Sequence, residues 1–192
     1  MMGMMLERCH FEKQDYLYTP MFCEENIWQL CKALTAQHVP VEQLKVLLLS
    51  NARKQIVVFN QQFAHPGLPL VYDYHVILKY QPYHEAALVF DFDTFLPFPC
   101  DWYSYQQASF PAPASLYDEE QMMVREIPAE EYLACFNSDR SHMAHLPAAE
   151  HPPYPCIQAS DPTCTIDLKE YWQLDQTIGG SSNVYAYLSP SE

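Results

Sequence analysis

The sequence predicts an α/β domain with a mainly antiparallel sheet, and three observations predict it. Near the amino end, Ile27, Leu30, Cys31 and Leu34 fall at i, i+3, i+4 and i+7, the stripe of a helix buried on one side. Two hairpin patterns follow in succession, rich in β-branched and aromatic residues. The chain has 192 residues, 49% of them hydrophobic and 14% aromatic, enough for a sizeable core. With no repeat and no evident linker, it reads as a single domain over 1–192, with 1–20 an irregular arm.

The helix comes first. Glu24 and Glu25 lie in its first turn, where carboxylates suit the positive end of the helix dipole. Pro20 discourages an earlier start, and Pro40 follows an end near Ala36. Cys23 is therefore at or beside the N-cap. Unpaired N–H groups and the dipole favour a thiolate there, and the two adjacent glutamates oppose one. A small buried cysteine is the plainer reading, so a nucleophile needs a base from elsewhere.

Residues 46–50 and 55–59 read as strands around the polar turn 51–54, a first hairpin. Pro66-Gly67 marks 61–69 as a loop. Residues 70–80 and 86–93 form a second hairpin about the turn 81–85. With Tyr83 at its centre, residues whose numbers sum to ~166 face each other, His75 opposite Asp91, with Cβ atoms ~5 Å apart on one face. Alternation puts Asp73 and Asp93 on that face too. A shift of one residue would undo the pairing.

Proline and aromatics dominate 94–113, which predicts an ordered coil burying Phe95, Leu96, Phe98, Trp102 and Tyr103. A strand is expected around 122–124, and a helix over 128–136 with Pro128 as its first residue. Polar loop covers 137–143 and extended coil 145–155. A helix over 167–174 carries a capping box at Asp167 and Glu170 and a staple from Ile166 to Tyr171, with Gly179-Gly180 after it. The last strand is 184–188.

Composition excludes several functions. Ten basic against 24 acidic residues, a net charge of -14, argue against nucleic acid. No apolar run reaches the length of a membrane span, and the start lacks the pattern of a signal peptide. Seven cysteines with no C-x-x-C argue against a disulfide framework or zinc knuckle and for a reducing, cytoplasmic setting.

Cys23 at a helix start, with His75 and Asp91 on paired strands, then makes a candidate triad. His75 would take the thiol proton and return it to the leaving group. Asp91 would hold the imidazole in one tautomer and steady its cation. Taken singly, His75 is a half-buried sheet histidine and Asp91 a strand-end carboxylate; the joint pattern is the more specific one. This order and placement is the transglutaminase-like and papain-like arrangement.

Longer blocks carry a resemblance. Cys23-Glu24-Glu25-Asn26-Ile27-Trp28, Tyr72-Asp73-Tyr74-His75-Val76, the run D-x-D-T-x-L-P-F-P-C at 91–100, S-D-R-S-H-M at 138–143 and Pro152-Pro153-Tyr154-Pro155-Cys156 together resemble the protein N-terminal glutamine amidohydrolase family. The blocks keep that family's order and cover most of the chain; the arm before Cys23 and 101–126 match no quoted pattern. The resemblance implies a monomeric α-β-α sandwich with a transglutaminase-like site and its triad on Cys23, His75 and Asp91. It implies hydrolysis of the side-chain amide of an N-terminal glutamine to glutamate and ammonia, with no metal or organic cofactor, feeding N-terminus-dependent degradation. The implied partners are proteins or peptides with a free N-terminal glutamine.

Selectivity for a chain terminus requires an acceptor for the α-ammonium. Asp73 is the first candidate, followed by Glu24, Asp93 and Asp139. Each has a plainer role: Glu24 can serve only the helix dipole, and Asp139 can cap a turn. Trp28 reads as core, and His142 as part of a structural polar network. The residues leave open a cysteine peptidase, a transglutaminase or a deamidase of internal glutamine on the same core. A non-catalytic binder of peptide N-termini is a further reading.

Overall fold

The computed structural model describes residues 11–111, 120–174 and 182–187. The helix stripe forms α1, Cys23–Ala36, which buries Ile27, Leu30, Cys31 and Leu34. The strands are β1 (Leu44–Ser50), β2 (Ile56–Val58), β3 (Leu70–Tyr72), β4 (His75–Tyr80), β5 (Leu88–Phe90), β6 (Cys100–Asp101), β7 (Met123–Pro128), β8 (Phe136–Asn137), β9 (Ile166–Asp167) and β10 (Asn183–Ala186). The later helices are α2 (Trp102–Ser109), α3 (Ala129–Cys135) and α4 (Leu168–Trp172). Six strands make one antiparallel sheet in the order β10-β7-β1-β4-β5-β6.

Each face of that sheet has its own core. On one face Val46, Leu48, Val76, Leu78 and Phe90 pack with α1, α3 and α4. On the other, Leu47, Leu49, Ile77 and Val89 pack with β2 and with Tyr105 and Phe110 from α2 and its end. The sheet is thus sandwiched, as the predicted class requires. Among the described residues no helix is long and apolar enough to cross a membrane.

The first hairpin does not form. Every residue of β1 except Lys45 is buried, so it is a central strand that needs two neighbours, and it takes β4 and β7. At the turn, Asn51 receives the Gln55 N–H at 2.9 Å and donates to its carbonyl at 2.7 Å, with Lys54 at φ 54°. The chain leaves the sheet there, and β2 pairs with β3 instead.

The predicted strand 70–80 is broken at Asp73-Tyr74. The Asp73 carboxylate accepts its neighbour's N–H (3.0 Å), and its carbonyl accepts from Ser50 Oγ (2.6 Å) and Trp172 Nε1 (3.3 Å). These side-chain bonds replace the ladder. In the second hairpin β4 pairs Leu78 with Phe90 and Tyr80 with Leu88. The turn centre is His84, at φ 63°, rather than Tyr83. Moving the centre by one residue moves each partner by two, so every side chain keeps its face.

Further along, the coil expected over 94–113 contains β6 and α2, started by Asp101, whose carboxylate accepts the Ser104 N–H at 2.9 Å. Phe95 and Tyr103 stand exposed at 69% and 59%, contrary to their expected burial. Pro128 ends β7 and caps α3 rather than opening it. The capping box at Asp167 and Glu170 is present, with Ile166 and Tyr171 both buried. The expected Gly179-Gly180 stop lies outside the described residues, and the last strand starts one residue early at Asn183. Cys135 and Cys164 are joined by a disulfide, which spacing did not reveal. The parallel pairing of β8 with β9, just beyond these two cysteines, brings them together.

Candidate active site

Cys23 is the first residue of α1. The chain reaches it through Met21 at φ 69°, a left-handed turn uncommon outside glycine. Asn26 holds that turn: its amide donates to the Thr19 carbonyl and accepts the Thr19 N–H, both at 2.8 Å. As a first-turn residue, Cys23 has an N–H with no intrahelical partner.

The Cys23 thiol sits 9% exposed against the start of β4, with the Val76 N–H directed at its sulfur. Burial pushes the thiol well above its ordinary pKa, and the Glu24 and Asp93 carboxylates push it further, against the help of Val76. Burial and these two carboxylates thus oppose the thiolate that the unpaired N–H groups of a helix start favour.

His75 opens β4 and is fully buried. Its Nε2 lies 3.1 Å from Asp91 Oδ1. That contact is an ion-pair distance outside hydrogen-bond geometry, and Nδ1 has no hydrogen bond among the described residues. The Tyr72 ring stacks on the imidazole with centroids 4.7 Å apart. Burial works against the imidazolium, but Asp91 and then Asp93 raise His75 above its ordinary value.

Asp91 lies just past the end of β5, so it meets His75 through the bend after the ladder rather than as a paired strand residue. Its Oδ1 also accepts the Asp93 N–H at 2.9 Å, and its Oδ2 accepts from Tyr105 Oη at 2.8 Å and Gln61 Nε2 at 3.2 Å. Gln61 is oriented in turn by Tyr72 Oη at 2.9 Å. Burial raises Asp91, yet His75 and these donors bring it below the usual carboxylate range. Asp91 is therefore a fixed, ionised acceptor.

The structure places the four candidate cation acceptors in four situations. Glu24 is completely buried; its Oε2 accepts from Tyr74 Oη at 3.0 Å and faces Cys23 Sγ at 3.6 Å, and its Oε1 lies 3.3 Å from His142 Nε2. Asp93 is 4% exposed and accepts from Tyr18 Oη at 2.6 Å. Asp73 does not share the His75 face: it lies in the break between β3 and β4, exposed, with its carboxylate turned to the Tyr74 N–H. Asp139 is exposed and caps a turn through the Ser141 N–H at 2.8 Å, which holds it below the usual carboxylate range.

Sequence reasoning missed Tyr18, Gln61, Tyr72 and Tyr105, all of which bond to the acids or stack on the histidine. Tyr72 left a signal, an aromatic three residues before His75 in a polar-aromatic run; Tyr105 left none, because α2 was read as coil. It also missed the clamp on Glu25. Arg140 Nε and Nη2 bind the two oxygens of that carboxylate at 2.8 Å each, and Ser138 Oγ adds a third bond at 2.7 Å. Together with the His142 contact, this makes the S-D-R-S-H-M block a brace for the helix start.

One ligand atom each of His75, Asp91 and Asp93 lies within 4.8 Å of the others, a spacing that could hold a metal ion. The hydrogen bonds fit a metal poorly. Both oxygens of Asp91 already serve two donors each, so a cation would have to displace that network.

A profile of the N-terminal glutamine amidase family matches residues 18–188. Three similar relatives each carry the name protein N-terminal glutamine amidohydrolase. The zebrafish (Danio rerio) protein is 34% identical over 85% of this chain and 82% of its own. The cattle (Bos taurus) and human (Homo sapiens) proteins are 36% and 35% identical, each over 85% of this chain and 80% of its own.

Proposed function

Because the chain belongs to the N-terminal glutamine amidase family, we propose that it hydrolyses the side-chain amide of an N-terminal glutamine, with Cys23, His75 and Asp91 as its catalytic residues. The single observation that carries the residue assignment is the His75–Asp91 contact. Nε2 faces a carboxylate held by three other donors, and Nδ1 has no hydrogen bond among the described residues, while the next residue, Val76, directs its N–H at Cys23 Sγ. We also propose that the sandwich is a transglutaminase-like and papain-like core, since the nucleophile stands on a helix start and its partners on the sheet.

Burial and the neighbouring acids oppose a resting thiolate, so proton transfer is taken to accompany attack. His75 Nδ1 takes the Cys23 proton as Sγ bonds to the glutamine Cδ. Asp91 stabilises the imidazolium. The oxyanion is held by backbone N–H groups, including that of Cys23. As the C–N bond breaks, His75 gives its proton to the departing nitrogen, and ammonia leaves. The Cys23 thioester remains. His75 then takes a proton from water as the hydroxyl adds to Cδ, and returns it to sulfur when glutamate departs.

We place the enzyme in the cytoplasm as a monomer. The Cys135–Cys164 disulfide argues the other way on compartment, and a non-reducing gel of protein drawn from cells under thiol-trapping conditions decides between them. The activity test uses three peptides, with free N-terminal glutamine, acetylated glutamine and internal glutamine. A gain of about one dalton on the first alone, lost in Cys23→Ala, supports the reading. Conversion of the other two selects a side-chain deamidase or transglutaminase, and no conversion under reducing conditions overturns the assignment.

A further inference from the structure

We infer that Asp93, oriented by Tyr18, is the group that binds the substrate's α-ammonium and so restricts the enzyme to chain termini; this rests on the amidohydrolase reading above. A glutamine whose Cδ touches Cys23 Sγ carries its α-nitrogen only three further carbons away. The acceptor must therefore stand within a few ångströms of the reacting pair, with a valence to spare and a path to solvent.

Asp93 meets each requirement. One of its oxygens lies within 4.8 Å of a His75 nitrogen. Its charge acts on the Cys23 thiol more strongly than that of Asp91. Its backbone is pinned on both sides, the N–H to Asp91 at 2.9 Å and the carbonyl accepting the Gln62 N–H at 2.7 Å, so its side chain cannot drift. Tyr18 Oη binds Oδ1 at 2.6 Å and the Tyr18 ring stacks on Phe92. Oδ2 accepts no hydrogen bond among the described residues, in a side chain that is 4% exposed. That oxygen is not one of the fully buried atoms without a partner, which leaves it reachable by solvent or by a ligand's donor.

An alkylammonium already lies close by, supported by the Asp93 and Asp91 charges, although burial costs it more and holds its pKa below the ordinary value. Lys13 Nζ stands 5.3 Å from the Tyr18 ring centroid, within the field of Asp93. It is an alkylammonium on a flexible stem, the chemistry of the group a substrate would bring. The other three acids fall short. Glu24 has no exposed surface; its Oε2 is engaged by Tyr74 and Cys23, and its Oε1, which accepts no hydrogen bond, is sealed against the His142 imidazole at 3.3 Å with no path to solvent. Asp73 is turned to its own backbone, and the exposed Asp139 caps a turn through the Ser141 N–H.

The test compares two substrates of equal shape on wild type and Asp93→Asn: a peptide with N-terminal glutamine, and its analogue with the α-amine replaced by hydroxyl. Wild-type conversion of the first is measured beforehand; its absence defeats the amidohydrolase reading and not this one alone. Wild type is expected to prefer the amine by kcat/KM on the order of 100-fold, the usual scale for a charged partner lost from a buried pair. In Asp93→Asn that ratio falls toward one, with the loss in KM, and the pH profile of Cys23 alkylation by iodoacetamide moves to lower pH, because the charge that raises the thiol is gone. An unchanged ratio overturns the inference. So does a shifted alkylation profile with the ratio kept, which makes Asp93 a tuner of His75. Tyr18→Phe, which leaves the carboxylate but frees it, carries the same readout should Asp93→Asn fail to fold; a partial fall in the ratio is expected and no fall overturns it.

Discussion

Glu25, in the first turn of α1, and Asp93, beside His75, are both buried carboxylates, and they are treated oppositely. Glu25 receives three side-chain bonds, two of them from one guanidinium in a bidentate pair. Asp93 receives one, from Tyr18, and is raised in pKa by burial and by the nearby Asp91 charge against His75, Tyr18 and Lys13. The first pair is closed and can only hold the fold. The second is left short of partners, in the place where a substrate would arrive. Burial alone does not separate structural from functional charge; the remaining valence does.

The largest effect should come from the reacting cluster. Asp91→Asn is expected to lower kcat on N-terminal glutamine peptides by on the order of 10³–10⁴-fold, because the amide offers His75 no charge and confuses its tautomer. Steady-state kinetics beside circular dichroism would show it; a kcat within tenfold of wild type would remove Asp91 from the triad. Arg140→Met tests the closed pair. It strands a fully buried carboxylate and should cost about 3–5 kcal/mol in urea unfolding, largely restored by adding Glu25→Leu. Loss of activity without loss of stability would mean that Arg140 belongs to the site instead.

The pH response sharpens the contrast. His75 must be neutral to take the thiol proton, and it is raised above the ordinary histidine value of ~6.5. The acid limb of kcat/KM should therefore have its midpoint above that value, falling about tenfold per pH unit below it. The sign for folding is opposite in the two partners. Protonated His75 adds stability at low pH that is lost as pH rises through its raised pKa. Ionised Asp91, lowered in pKa, adds stability above its unfolded value that is lost in acid. A limb midpoint below 6 would contradict the pairing. The smallest effect is at the arm: Asn26→Ala removes both bonds to Thr19 and should cost about 1–2 kcal/mol of thermal stability. It should also widen the preference for the first residue, since Tyr18 hangs from the same segment.

How far the site was legible depends on the range of the signal. The Cys23 helix start was legible because a 3.6-residue stripe, two first-turn acids and flanking prolines lie within twenty residues. The His75–Asp91 contact was legible although the turn centre was misplaced, because an error of two positions keeps each residue's face along the ladder and the bend after β5 then brings Asp91 to the imidazole. Asp73 was misread for the opposite reason. Alternation assumes an unbroken strand, and a short side chain bonding to the next N–H ended it. Tyr18, Tyr105 and Arg140 could not be read, since each reaches the site from 14 to 115 positions away in the chain.

By itself the sequence determined the α/β class, the helix that Cys23 opens, the family through its blocks, and the second hairpin that brings histidine and acid near each other. These follow from local periodicity and from residue types in order, which need no knowledge of neighbours. Tertiary structure decided which strands pair, that β1 is central, which cysteines bond, and which buried acids are satisfied. Those outcomes depend on contacts between distant segments, and the competition for a limited number of donors is settled only when all of them are in place.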